Sequence, residues 1–99
     1  MIAFTRTASI APGKLGSAVA FAREIAVHIQ QTYDVKLEVL MPIGGNPNRI
    51  SWAARYDNLA TWESLGNKLL ADPVYMAMVT KGSDNFIAGS VEDSIWRTL

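Results

Sequence analysis

Few side chains in this chain can do chemistry, and their types narrow what that chemistry is. Cysteine is absent, which removes thiolate nucleophiles, disulfides, zinc–thiolate centres and iron–sulfur clusters together. His28 is the single histidine. A metal site needs three or four convergent ligands, and one histidine with scattered carboxylates does not supply them. The reading is therefore no metal and no cofactor. A Ser–His–acid set fails too, because nothing ties His28 to a serine and a carboxylate. His28 reads as a boundary residue on the flank of an apolar helical stripe. Glu92-Asp93 is an adjacent carboxylate pair, but neighbours in an extended segment point opposite ways, so the pair reads as solvated.

Arg6 asks for more explanation. In residues 2–10, Ile2, Phe4, Ala8 and Ile10 alternate with Ala3, Thr5, Thr7 and Ser9. Period two is the mark of a strand, and Arg6 falls on its apolar side. A buried charge without a partner is costly. Arg6 therefore needs an ion pair, with Asp57 or Asp84 as candidates, a strand-end position open to water, or an anionic ligand.

The glycine-rich stretch Ile43-Gly44-Gly45-Asn46-Pro47-Asn48 is the other feature that suggests a site. Phosphate loops lead from a strand into a helix, whose amides face the anion. This one leads from one alternating run into another and lacks both phosphate-loop spacings. It reads as a hairpin loop, with the glycines supplying positive φ and Pro47 fixing the exit.

The elements that position these residues follow from periodicity. After Pro12-Gly13, residues Leu15, Ala18, Val19, Ala22, Ile25, Ala26, Ile29 and Tyr33 form one stripe of a helix from Lys14 to about Tyr33. Residues 35–42 alternate, with Val35, Leu37, Val39 and Met41 on one side. Ile50, Trp52, Ala54 and Tyr56 mark a third strand. Asp57 or Asn58 can cap a second helix, striped by Leu59, Trp62, Leu65, Leu69 and Leu70. Asp72 caps a short helical piece with Pro73 at its first position, and Gly82 stops it. Residues 85–91 read as the last strand, followed by the tail EDSIWRTL. This is an α+β chain of ferredoxin-like βαββαβ order, one domain over 1–99. Right-handed crossovers place both helices on one face of a four-stranded antiparallel sheet.

The other sheet face is then bare. It would carry Thr5, Thr7, Ser9, Lys36, Glu38, Leu40, Ser51, Ala53, Arg55, Ile87, Gly89 and Val91. Only 18% of the chain is charged, against a usual ~25%, and this face is correspondingly poor in Lys and Glu. A second copy packed sheet to sheet would cover it and hide edges, giving a homodimeric α/β barrel. Trp96, so near the end, is expected to dock on its own helices or on the second subunit. Net charge is zero and the nine basic residues are scattered, so a nucleic-acid partner lacks its electrostatic footprint. No apolar run approaches the ~18 residues that span a bilayer, so no membrane partner is expected. The opening MIAFTRTASI does not read as a signal peptide, and the expected location is the cytoplasm.

The chain resembles the dimeric α/β-barrel superfamily. FTRTASIAPGKL is similar to the start of its NIPSNAP-like branch. RYDNLATWESLGNKLLADPVYMAM resembles the stretch after the third strand in NIPSNAP-like proteins and antibiotic-biosynthesis-type monooxygenases. These motifs are structural punctuation, so the resemblance implies a fold more than an activity. The haem-degrading and monooxygenase branches place a histidine just after the proline of the last helical element, where this chain has Val74 and then Tyr75. They also use an asparagine on the first strand, where this chain offers Thr5, Arg6 and Thr7. The resemblance further implies a small-molecule cleft between sheet and helices. Candidates to line it are Phe4, Arg6, Trp52, Tyr56, Trp62, Tyr75 and Phe86, with Tyr75 a possible donor to a substrate carbonyl. Three functions fit: a binder or minor metal-free enzyme for a compact apolar or aromatic molecule; a cofactor-independent monooxygenase of an aromatic or quinol-type substrate; or a non-catalytic dimeric assembly module.

Overall fold

The computed structural model describes residues 1–99. The elements run β1 (Ile2–Ser9), α1 (Leu15–Tyr33), β2 (Glu38–Leu40), β3 (Arg49–Tyr56), α2 (Leu59–Leu70), α3 (Pro73–Gly82) and β4 (Glu92–Arg97), with one 3₁₀ turn at Ser83–Asn85. The sheet is antiparallel in the order β2-β3-β1-β4. This is the expected ferredoxin-like arrangement. Strand β1 is central and pairs along its whole length with β3, from Ile2 opposite Tyr56 to Ser9 opposite Arg49.

One side of the sheet makes the core. Ile2, Phe4, Ala8, Ile50, Trp52, Ala54 and Tyr56 are buried there against Ala18, Ala22, Ile25 and Ile29 of α1. Ala18 and Ala22 are fully buried. Their small side chains bring the helix backbone close enough for the Trp52 indole N–H to donate to the Ala22 carbonyl at 3.2 Å. Asn58 caps α2 by accepting from the Thr61 backbone N–H at 2.9 Å. The loop between β2 and β3 is the expected hairpin connection, with Gly45 at φ 73° and the Asn46 side chain accepting from Asn48 N–H. Strand β2 is shorter than its alternation suggested. Only residues 38–40 pair with β3, while Val35 and Leu37 pack against the core before the ladder begins.

The last strand lies seven residues later than the periodicity of 85–91 indicates. Gly89 takes φ 78°, a left-handed conformation that breaks an extended run. The Ser90 hydroxyl donates to the Ile87 carbonyl and accepts from Ser9 N–H at 3.1 Å. Those bonds fold 86–91 into a turn beside the end of β1. The supposed tail is the real strand, pairing Thr7 with Glu92 through to Ile2 with Arg97. Ile87, Gly89 and Val91 therefore leave the open sheet face. Glu92, Ser94 and Trp96 take their place there, opposite Thr7, Thr5 and Ala3.

His28 does more than mark a boundary. Its Nε2 lies 2.8 Å from Asp72 Oδ2, and the Tyr33 hydroxyl donates to the same oxygen at 2.7 Å. The other carboxylate oxygen accepts from Val74 and Tyr75 N–H at the start of α3. One nearly buried carboxylate thus caps α3 and ties it to α1. The bonds from His28, Tyr33 and the α3 amides hold the Asp72 carboxyl far below its ordinary value, and the same carboxylate raises the Tyr33 phenol. A carboxyl whose folded value is depressed stabilises the fold above its ordinary value and loses that contribution as pH falls through the folded one. Asp72→Asn should lower the thermal midpoint at neutral pH. The gap from the parent should narrow as pH drops below 3.8, read by circular dichroism melts across pH. A gap constant with pH would remove the charge from this account.

Gly82 was expected to stop α3. It is instead the last helical residue, at φ −87°, so its value is not positive φ. A Cβ there would overlap the Phe21 ring. The absent side chain is what lets α3 close on α1. Gly82→Ala must displace Phe21, and overpacking of this kind costs about 1–3 kcal/mol. Urea unfolding should show that loss with an unchanged slope.

Candidate functional site

Between the helices and the core face of the sheet lies a cleft of about 630 Å³. That is within the usual range for a small-molecule site, ≈300–1,000 Å³. Six of the seven expected residues line it: Phe4 and Arg6 from β1, Trp52 and Tyr56 from β3, Tyr75 from α3, and Phe86 after the 3₁₀ turn. Trp62 does not. It packs on the Phe4 ring, centroids 5.8 Å apart and tilted by 47°, and belongs to the packing of α2.

The wall is built from interlocked aromatic rings. Phe21, Trp52 and Phe86 form a triangle, with centroid separations of 5.6, 6.0 and 6.3 Å in edge-on geometry. Such pairs are favourable beyond the area they bury, so this wall is rigid. Trp52 is 8% exposed and its indole N–H is engaged by Ala22. It offers a ligand an apolar surface and no hydrogen bond. Val79 of α3 and the turn 87–91 complete the rim.

Polar groups gather on one side. Arg6 is paired neither with Asp57 nor with Asp84. Its Nε and one Nη donate side by side to Asp93 Oδ1 and Oδ2 at 2.7 and 2.9 Å. Asp93 sits opposite Arg6 in the β1–β4 ladder, so Glu92 and Asp93 point opposite ways and stay exposed as expected, but Asp93 is engaged by Arg6. Glu92 faces the open side of the sheet and Asp93 the helices. The hydrogen bond to Asp93 outweighs partial desolvation and raises the Arg6 guanidinium above its ordinary value. The guanidinium carbon also lies 5.8 Å from the Phe4 ring centroid, in cation–π range. The second Nη of Arg6 makes no hydrogen bond within the protein.

Both Tyr56 and Tyr75 lie within electrostatic reach of Arg6. Neither hydroxyl hydrogen-bonds to a protein group, and neither is sealed from the cleft. Tyr56 is only 6% exposed. Burial pushes its phenol upward, partly offset by Arg6. Buried polar groups are normally satisfied, so the unbonded hydroxyl of this nearly buried, cleft-lining residue is free to bond a ligand. No three His, Cys, Asp or Glu side chains converge to hold a metal ion, and no helix is long and apolar enough to cross a membrane.

Sequence reasoning missed Phe21, Val79, Asp84 and Asp93 at or beside this cleft. Phe21 was within reach, since it lies three residues after Ala18 and four before Ile25 on the buried helical face. Asp93 was not, because its role depends on the strand register.

No protein-family model matches the chain, and no curated protein matches it significantly. Solved structures do. A NIPSNAP domain protein from Burkholderia xenovorans superposes with a TM-score of 0.84 at 19% identity, over 100% of this chain and 95% of that one. A NIPSNAP family protein from Agrobacterium tumefaciens gives 0.83 at 21% identity, over 99% and 85%. An antibiotic biosynthesis monooxygenase gives 0.75 at 10% identity, over 100% and 99%. At such identities the likeness is one of fold: the chain has the ferredoxin-like α+β fold shared by NIPSNAP domain proteins and antibiotic biosynthesis monooxygenases.

Proposed function

We propose that this protein binds a compact apolar or aromatic molecule in the cleft between sheet and helices. The observation that carries the reading is the combination at one site: a rigid aromatic wall, and donor groups on Arg6, Tyr56 and Tyr75 without protein acceptors. A wall of that kind supplies burial, and a few convergent polar groups supply orientation. The monooxygenase among the structural neighbours lends the same cleft a second reading. A phenol bound there would give up its para C–H to O₂, leaving a quinone carbonyl and water. Following the complex with an oxygen electrode separates binding from oxygenation.

Val79→Trp places an indole in the cleft. A ligand at ten times its Kd stabilises by about 1.4 kcal/mol, which is a rise of roughly 6–11 °C for a domain this small. Thermal-shift assay of bicyclic aromatic compounds should show that rise in the parent and its loss in Val79→Trp. A rise that survives the blocking substitution would put the ligand elsewhere.

The open sheet face supports a homodimer as part of the same reading. Ala3, Thr5, Thr7, Ser51, Ala53 and Ser94 are small, and the Thr7 and Ser51 hydroxyls bond each other at 2.7 Å. Trp96 stands on this face 64% exposed. A face with a small-residue centre, a protruding indole and charges of both signs around it (Glu38, Arg49, Arg55 and Glu92) suits a self-complementary partner. Light scattering at micromolar concentration should return twice 10.8 kDa, and Ala53→Arg at the centre of the face should return the single value. A mass of 10.8 kDa for the parent would overturn the dimer.

A further inference from the structure

We infer that the cleft selects an uncharged ligand whose carbonyl oxygen accepts hydrogen bonds from Arg6 and Tyr56. This deepens the binding reading above and rests on it. The groups in the cleft wall without a protein partner are the second Nη of Arg6, which can only donate, and the Tyr56 and Tyr75 hydroxyls. Trp52 offers nothing polar, since Ala22 takes its N–H. A ligand atom that bonds the Arg6 guanidinium must therefore accept, and the Tyr56 hydroxyl can donate to the same atom.

The charge balance decides what kind of acceptor. Arg6 is the one cation of the cleft wall, and Asp84 is the one carboxylate. Asp93 already neutralises Arg6 through two hydrogen bonds. Counting Asp93, the charges at the site sum to minus one. A carboxylate or phosphate entering the cleft would lose part of its hydration and meet no uncompensated cation, which disfavours it. A ketone, ester or amide oxygen needs only the hydrogen bonds, and Arg6 and Tyr56 supply them. The paired arginine thus acts as a polarised donor and not as an anion trap.

Three probes of equal shape separate these cases: 1-acetylnaphthalene, 1-ethylnaphthalene and 1-naphthoate, titrated calorimetrically into the parent and Tyr56→Phe. Loss of an unpaired hydroxyl from a buried site is close to neutral for stability, so Tyr56→Phe should melt at or above the parent midpoint. The ketone should bind about five- to tenfold tighter than the hydrocarbon, the worth of a hydrogen bond. Naphthoate should bind at least tenfold more weakly than the ketone. Tyr56→Phe should lose most of the ketone's advantage and leave the hydrocarbon unchanged. Naphthoate binding tighter than the ketone overturns the inference. So do equal affinities for ketone and hydrocarbon, or a ketone advantage unmoved in Tyr56→Phe; the cleft would then still be a binding site. If none of the three binds, the cleft reading falls with it.

Discussion

A guanidinium on the apolar side of a central strand cannot stand alone, because desolvating it unpaired is costly. In this fold the requirement is met by one residue, Asp93, across the β1–β4 ladder. Much else depends on that pair. It favours the β4 register in which Glu92 faces outward and Asp93 inward. A slip of one residue would turn Asp93 to the open face of the sheet, away from Arg6. It joins the end of the chain to its beginning, where Thr98 N–H also bonds the Met1 carbonyl at 3.0 Å. It also leaves one arm of Arg6 free beside Tyr56 and Tyr75, which gives the cleft a polar end.

The pair is too exposed to serve as a large source of stability. Arg6 and Asp93 side chains keep 43% and 37% of their surface, and ion pairs at such exposure contribute little. Stability comes from the alanine-lined approach of α1 to the sheet and from the aromatic triangle of Phe21, Trp52 and Phe86. Asp72 closes the far corner by holding α1 to α3 through His28 and Tyr33. The division is physical: apolar contacts and a saturated carboxylate brace the frame, while the half-hydrated pair sets register and polarity at the cleft.

Much of this was legible in the chain. Three alternating runs and two striped segments determine the ferredoxin-like order, because period 2 and period 3.6 are each visible within a single element. The resemblance implied the cleft, and four of its expected residues, Phe4, Arg6, Trp52 and Tyr56, line it because they lie on the helix-facing side of β1 and β3. The failures have one source. The placement of β4, the partner of Arg6 and the role of His28 all depend on contacts between distant segments. The run 85–91 alternates as well as a strand does, yet Gly89 and the Ser90 hydroxyl favour a turn. Local pattern could not choose between it and 92–97. The cross-strand partner of Arg6 could. Trp62 fails for a simpler reason: an amphipathic stripe on α2 says that the ring is packed, not which packed surface it meets.

The placement of β4 also changes the chemistry that Arg6 can perform. An arginine on an apolar face with no assigned partner reads as an anion receptor. Once Asp93 occupies its Nε and one Nη, the field it projects into the cleft is largely cancelled, while its remaining N–H groups keep their direction and donor strength. Tyr56 is in a complementary position. Its phenol carries a proton at neutral pH and no protein group takes it, so it can donate to a ligand as well. Register therefore reaches function by a short path. It sets which carboxylate meets the guanidinium, that contact sets the net charge at the polar end, and the charge divides neutral acceptors from anions.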